Sequence, residues 1–180
     1  MDTEHALLEH INRGDGKARQ ELYQRFAGTA MAVAMRMLAD SDAARDVLQE
    51  AFIKVFTHLD RFSYRGEGSL RSWVMRVVSN EAIDWLKQKQ RFTFTDLSRE
   101  EDLPDEEPDV GDISPEQLQQ FIERLPDGYR QVLVLYVFEQ KSHQEIARLL
   151  GIKENSSASQ FLRAKRLLAK MINDFKRHQR

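Results

Sequence analysis

Apolar residues recur at three- and four-residue steps along most of this chain, the period of an amphipathic helix. The organising stretch is 46–91: DVLQEAFIKVFTHLDRF, then SYRGEG, then SLRSWVMRVVSNEAIDWLKQKQR. Its spacing predicts two long helices around a short loop holding Gly66 and Gly68. Val47, Phe52, Val55, Phe56 and Leu59 of the first should face a core. Leu70, Trp73, Val74, Val77, Val78, Ile83 and Leu86 of the second should do the same.

The pattern upstream predicts a helix over about 4–13, with Leu7, Leu8 and Ile11 on one face, ended by GDG at 14–16. A second helix starts near Lys17 and carries Leu22, Tyr23, Phe26, Ala30, Val33, Ala34, Met37 and Leu38. Asp40-Ser41-Asp42 breaks it, with Ser41 or Asp42 as the next N-cap. Met31, Met35 and Met37 read as core filler.

Downstream, Ser114-Pro115 opens a helix, with Gln117 three residues on. Leu118, Phe121, Ile122 and Leu125 follow, up to Pro126-Asp127-Gly128. The run YRQVLVLYVFEQ is too apolar for an exposed helix and should be central. In SHQEIARLLGIKENSSASQFLRAKRLLAKMI, Ser142 and Glu145 form a capping box. Ile146, Ala147, Leu149 and Leu150 pack inward, Gly151 turns the chain and Ile152 plugs the turn. Asn155 or Ser156 caps the next helix, with Phe161, Ala164, Leu168 and Met171 inside. Short helix, glycine turn and polar-led second helix make a helix-turn-helix. Ser156, Ser159, Gln160, Arg163, Lys165 and Arg166 stand available for base edges and phosphates. A plain helical hairpin fits the same spacing.

Charge divides the chain further. Residues 1–91 carry a net +1, residues 92–113 a net −8 and residues 114–180 a net +5, within an overall −2. The acidic middle holds Pro104, Pro108 and Gly111, keeps no helical period and reads as a flexible linker. The fold expected is all-α: two small helical domains, 1–91 and 114–180, joined by the acidic linker 92–113. Seven Lys or Arg lie between 61 and 91 against Glu67, Glu81 and Asp84, with Tyr64, Trp73 and Trp85 among them. Basic and aromatic residues together suit phosphates and unpaired bases, although a solvated amphipathic helix has the same composition. On the preceding helix Asp46, Gln49, Glu50 and Lys54 are near neighbours. They form either a docking face or an ordinary solvated one with Asp46 and Glu50 paired to Lys54.

Several chemistries drop out. The 180 residues include no cysteine, which removes disulfides, thiolate zinc and thiol nucleophiles, and suits a reducing cytoplasm. His5, His10 and His58 lack metal-ligand spacing. No phosphate loop or hydrolase motif is present. No secretory signal or membrane-spanning run is seen. We expect neither an enzyme nor a cofactor.

Together, 46–62 with 68–91 resemble conserved region 2 of bacterial sigma factors, and RLPDGYRQVLVLYVFEQKSHQEIARLLGIKENSSASQFLRAKRLL resembles their region 4. Two regions and a linker resemble the extracytoplasmic-function group of the sigma-70 family. The resemblance implies an initiation factor that binds core RNA polymerase through its beta-prime and beta subunits and helps melt promoter DNA. It implies polymerase docking by Asp46, Gln49, Glu50 and Phe52. It implies minus-ten contacts by Tyr64, Arg65, Arg76, Asn80, Asp84 and Lys87, with a base flipped into the loop 63–69. Ser156, Ser159, Gln160 and Arg163, with Lys165 and Arg166, would meet the minus-thirty-five element. The linker would thread toward the polymerase active-site channel. An anti-sigma factor is a further implied partner. The start of the last helix departs from the family: NSSASQ stands where many members have Gly-Thr and more basic residues. The competing reading is a helix-turn-helix regulator that works without polymerase, usually as a dimer on a palindrome.

Overall fold

The computed structural model describes residues 3–88 and 111–178. Among them are eight α-helices and no strand. Most of the acidic middle, residues 92–110, lies outside the described residues.

The chain separates into two compact units, Met1–Trp85 and Leu86–Arg180. In the first, α1 (Thr3–Asn12), α2 (Gly16–Leu38) and α3 (Ser41–His58) are followed by a 3₁₀ turn (Leu59–Arg61), and then by α4 (Ser69–Gln88). Each apolar stripe is buried as its period requires: Leu7, Leu8 and Ile11 on α1, and Leu22, Phe26, Ala30, Ala34 and Met37 on α2. Val47, Ala51 and Val55 on α3 and Leu70, Val74, Val78 and Ile83 on α4 are buried too. α2 lies along both α1 and α3. Tyr23, expected in the core, is exposed and meets Phe52 edge-on. Trp73, Val77, Phe56, Met31 and Met35 are half-buried. The cap of α3 is Asp40, not Ser41 or Asp42. Its Oδ1 accepts from the Asp42 and Ala43 amides, each at 3.1 Å. One residue earlier, Ala39 turns left-handed (φ 49) to end α2.

The second unit holds α5 (Pro115–Glu123), α6 (Asp127–Val137), α7 (His143–Leu150) and α8 (Glu154–His178). α6 and α7 pack on α8. Ser114 with Gln117 and Ser142 with Glu145 close the expected capping boxes, and Gly151 takes the left-handed turn (φ 68) after α7. The run in α6 is buried only from Arg130 to Leu135, while Tyr136, Val137 and Phe138 stay at the surface. Arg130 is 3% exposed and was not foreseen as a core residue. Its guanidinium donates to the carbonyls of Leu125 (2.8 Å) and Glu123 (3.3 Å) and pairs with Asp127. It thereby satisfies carbonyls that the end of α5 leaves open. α8 begins at Glu154, so Asn155 and Ser156 lie inside its first turn instead of capping it. Ala164 is buried as expected, but Leu149, Ile152, Phe161, Leu168 and Met171 are half-buried.

Candidate nucleic-acid and polymerase-docking surfaces

On α3, Asp46, Gln49 and Glu50 are all exposed along one stripe. Lys54 forms its ion pair with none of them. Its ammonium pairs across to Glu81 on α4. That hydrogen bond, opposed by partial burial and helped by the charges of Glu81, Asp84 and Glu50, holds Lys54 above its usual pKa. Among the described residues neither Asp46 nor Glu50 has an ion-pair partner, so the face stays acidic. Phe52, placed in the docking set by the resemblance, lies instead in the core as its spacing predicted. It is 3% exposed and packs against Tyr23 and Phe56, at ring separations of 4.7 and 6.1 Å, so it supports the face from beneath. The apolar residue that does stand in the stripe is Ile53, 58% exposed and three or four residues from Gln49 and Glu50. Its spacing left Ile53 out of the core-facing set, and being apolar it was not counted with the polar face either.

Along α4, Arg76, Asn80, Asp84 and Lys87 are exposed. They share one face because steps of three and four residues nearly complete a helical turn. Leu70, Val74, Val78, Ala82 and Ile83 are buried on the other side. Trp73 lies at the margin with its ring 5.1 Å from Phe62. The loop before α4 depends on two left-handed glycines, Gly66 (φ 106) and Gly68 (φ 86), where a side chain would be strained. Ser69 ties it locally: its hydroxyl donates to Gly66 O at 2.6 Å and accepts from the Arg65 amide at 3.2 Å. Arg65 is exposed, and Tyr64 is half-buried with its ring 5.2 Å from His5. Unforeseen was the carboxylate of Glu4, which accepts from the Gly68, Leu70 and Arg71 amides. No short-range pattern points to a residue so distant in sequence.

On α8, Ser159 and Lys165 are exposed, and Ser156, Gln160, Arg163 and Arg166 are half-buried. The Ser159 hydroxyl donates to Asn155 O at 2.9 Å, which leaves its lone pairs to accept. Oε1 of Gln160 is buried with no hydrogen-bond partner among the described residues. Ser157 is buried and bonds His143 of α7 at 2.9 Å, joining the two helices of the motif. Tyr136 stacks on His143 and touches Phe161, with ring centroids 4.6 and 4.4 Å away. Leu162, 41% exposed, was not singled out by its spacing. Among the described residues no cluster could hold a metal ion, and no helix is long and apolar enough to cross a membrane.

Comparison with known proteins agrees with both units. Residues 22–92 match the model of sigma-70 region 2, and residues 115–168 match that of sigma-70 region 4. The RNA polymerase sigma-H factor of Pseudomonas aeruginosa is 29% identical, over 96% of this chain and 95% of its own. The ECF RNA polymerase sigma factor SigW of Bacillus subtilis is 27% identical over 93% and 95%. The ECF RNA polymerase sigma-E factor of Escherichia coli is 29% identical over 91% of each chain. Among solved structures, the sigma factor RpoE of Bartonella quintana, in complex with the anti-sigma factor NepR, has the same fold. Its TM-score is 0.50 at 17% identity, over 86% of this chain and 96% of that one. The chain belongs to the sigma-70 family, in its extracytoplasmic-function group.

Proposed function

We propose that this initiation factor docks on core RNA polymerase with the acidic stripe of α3, with Asp46, Gln49 and Glu50 around Ile53. A helix face with two carboxylates, an amide and one exposed aliphatic anchor suits a protein partner. The exposed face of α4 meets the minus-ten element. Asn80 reads a base edge, and Arg76 and Lys87 hold phosphates. Tyr64 and Arg65, on the glycine loop, receive a base turned out of the stack. Ser156, Ser159, Gln160 and Arg163 meet duplex DNA at the minus-thirty-five element, with Lys165 and Arg166 adding positive charge. The chain itself performs no catalytic step, and its place is the cytoplasm, with the polymerase. Binding energy from the polymerase opens the strands. Domains 1–91 and 114–180 with the linker 92–113 remain the working division. An anti-sigma factor is the partner class that would cover these surfaces and hold the factor inactive.

The observation that carries this reading is α4. Its buried side fixes the helix, and its other side presents Arg76, Asn80, Asp84 and Lys87 directly after a loop held by two left-handed glycines. A regulator that used only the helix-turn-helix would have no use for that face. The test is co-purification with core polymerase, followed by transcription from a promoter fragment. Promoter-directed initiation is the expected result. Binding to duplex DNA as a dimer, with no polymerase capture, would overturn it.

A further inference from the structure

Glu4 is 2% exposed, yet the proposed docking and reading surfaces do not use it. Its Oε2 accepts from the amides of Gly68 (2.9 Å) and Leu70 (3.0 Å), and its Oε1 from that of Arg71 (3.2 Å). Those amides are ones that the start of a helix leaves without intrahelical partners. The positive end of the helix also favours a carboxylate there. A second tether lies beside the first. Thr3 Oγ1 donates to Glu67 at 3.0 Å and accepts from Arg25 at 2.7 Å, and Arg25 lies 3.6 Å from the same Glu67 carboxylate. The loop is therefore held at Glu67 and Gly68 by residues from α1 and α2.

We infer that Glu4 is a positioning residue for strand opening. It fixes the loop 63–69 and the first turn of α4 before DNA arrives. The inference rests on the proposed role of that loop. A loop already fixed loses less conformational freedom when it takes up a base. Because Glu4 occupies the Gly68, Leu70 and Arg71 amides, those three are not available to an unpaired base or its phosphate. Glu4 touches no DNA in this arrangement and acts only through the backbone it holds.

Glu4→Gln tests this. The amide keeps one accepting oxygen but turns an NH2 group toward a backbone N–H. In the free full-length protein, hydrogen exchange should quicken at Gly68, Leu70 and Arg71, with the amides of α2 and α3 unchanged. With core polymerase, the variant should bind as the parent does. Open-complex formation on duplex promoter should slow about tenfold, the equivalent of about 1.4 kcal/mol. A template already melted across the minus-ten element should restore the rate. A parent-like rate on duplex, or equal slowing on both templates, overturns the inference. Glu67→Ala removes the exposed tether and should give a smaller slowing with the same rescue. It carries the test if Glu4→Gln does not fold, and parent-like opening by that variant then overturns the inference. A parent protein that supports no initiation overturns the proposed function instead, while the exchange at those three amides still reports on the cap.

Discussion

In the second unit, Ser114 and Ser142 each close a capping box with a residue three positions ahead. In the first, the start of α4 is capped by Glu4, 64 to 67 residues away. A box of the first kind forms together with its helix and stabilises that end wherever the helix forms. A cap of the second kind exists only once α1 and α4 have come together, because closing so long a loop costs entropy before the contact returns anything. The first turns of α5 and α7 are thus held from within their own helices. The loop proposed to take a base has local ties through Ser69, but its hold by Glu4 exists only in the whole folded unit.

The largest effect should come from Arg130, where the second unit also depends on a buried charge. Arg130→Ala strips the guanidinium from two backbone carbonyls and from Asp127. Leaving those groups unpaired should cost about 3 kcal/mol. Hydrogen exchange should then quicken throughout α5–α8 and stay unchanged in α1–α3. Equal loss in both units would erase the contrast between them.

Docking comes next. The α3 stripe is built from side chains alone and needs no distant cap. Ile53→Ala together with Asp46→Ala and Glu50→Ala should weaken polymerase capture by about 2 kcal/mol or more, the size of an interface hot spot. Exposed changes of this kind usually alter stability by about 0.5 kcal/mol or less. Unchanged affinity in a titration against core polymerase would remove α3 from the interface. Phe52→Ala should instead lower the melting temperature, because that ring is core.

How far the molecule was legible follows the same division. Period and spacing found the helices, the boxes at Ser114 and Ser142, the turn at Gly151 and the buried side of α4. Each of these is set by residues within one or two turns. Asp40 was missed because three polar residues in a row all suit a cap and only backbone direction chooses among them. Spacing put Phe52 in the core, where it lies, while the resemblance put it in the docking set, and Ile53 was assigned to neither face. Both are apolar neighbours, and the phase of the helix against Tyr23 buries one and exposes the other. A pairing of Lys54 within its own helix was one of two readings because i,i+4 pairs are visible in a sequence, and a pair from α3 to α4 is not. Glu4 and Arg130 lay beyond reach for the same reason: a buried charge is explained by its partners, and the sequence does not name them.

Within α4 the contrast can be sharpened at a single residue. Asn80→Ala leaves both the Glu4 cap and the buried side of the helix intact. It should therefore retain fold and polymerase binding and lose about 1–2 kcal/mol of discrimination at one minus-ten position. Arg76→Ala should weaken binding across all sequences and reduce its salt dependence. Open-complex formation on a panel of minus-ten variants separates the two. An unchanged base ranking in Asn80→Ala would show that Asn80 reads nothing.

The smallest effect distinguishes the two boxes of the second unit. That of α5 uses Gln117, which does not titrate, and that of α7 uses Glu145. The Ser142 amide at 2.8 Å and then its hydroxyl at 3.0 Å, with Lys141 and Arg148 adding charge, hold Glu145 below the usual carboxylate range. A carboxylate depressed in the folded state binds fewer protons there than in the unfolded chain, so acid favours unfolding. Its contribution is complete above the unfolded value of about 4 and fades as pH falls through the folded one. Glu116 shifts in the same direction, chiefly through its own backbone N–H and then the Ser114 hydroxyl, so it adds to the acid loss at the start of α5. Glu145→Gln keeps a box of the Gln117 kind and removes one titrating group. Below about pH 4 the parent's second unit should lose protection in hydrogen exchange faster than the variant's, and near neutrality the two should be close. Parallel acid profiles for parent and Glu145→Gln would mean that the box at Ser142 does not depend on the charge of its partner.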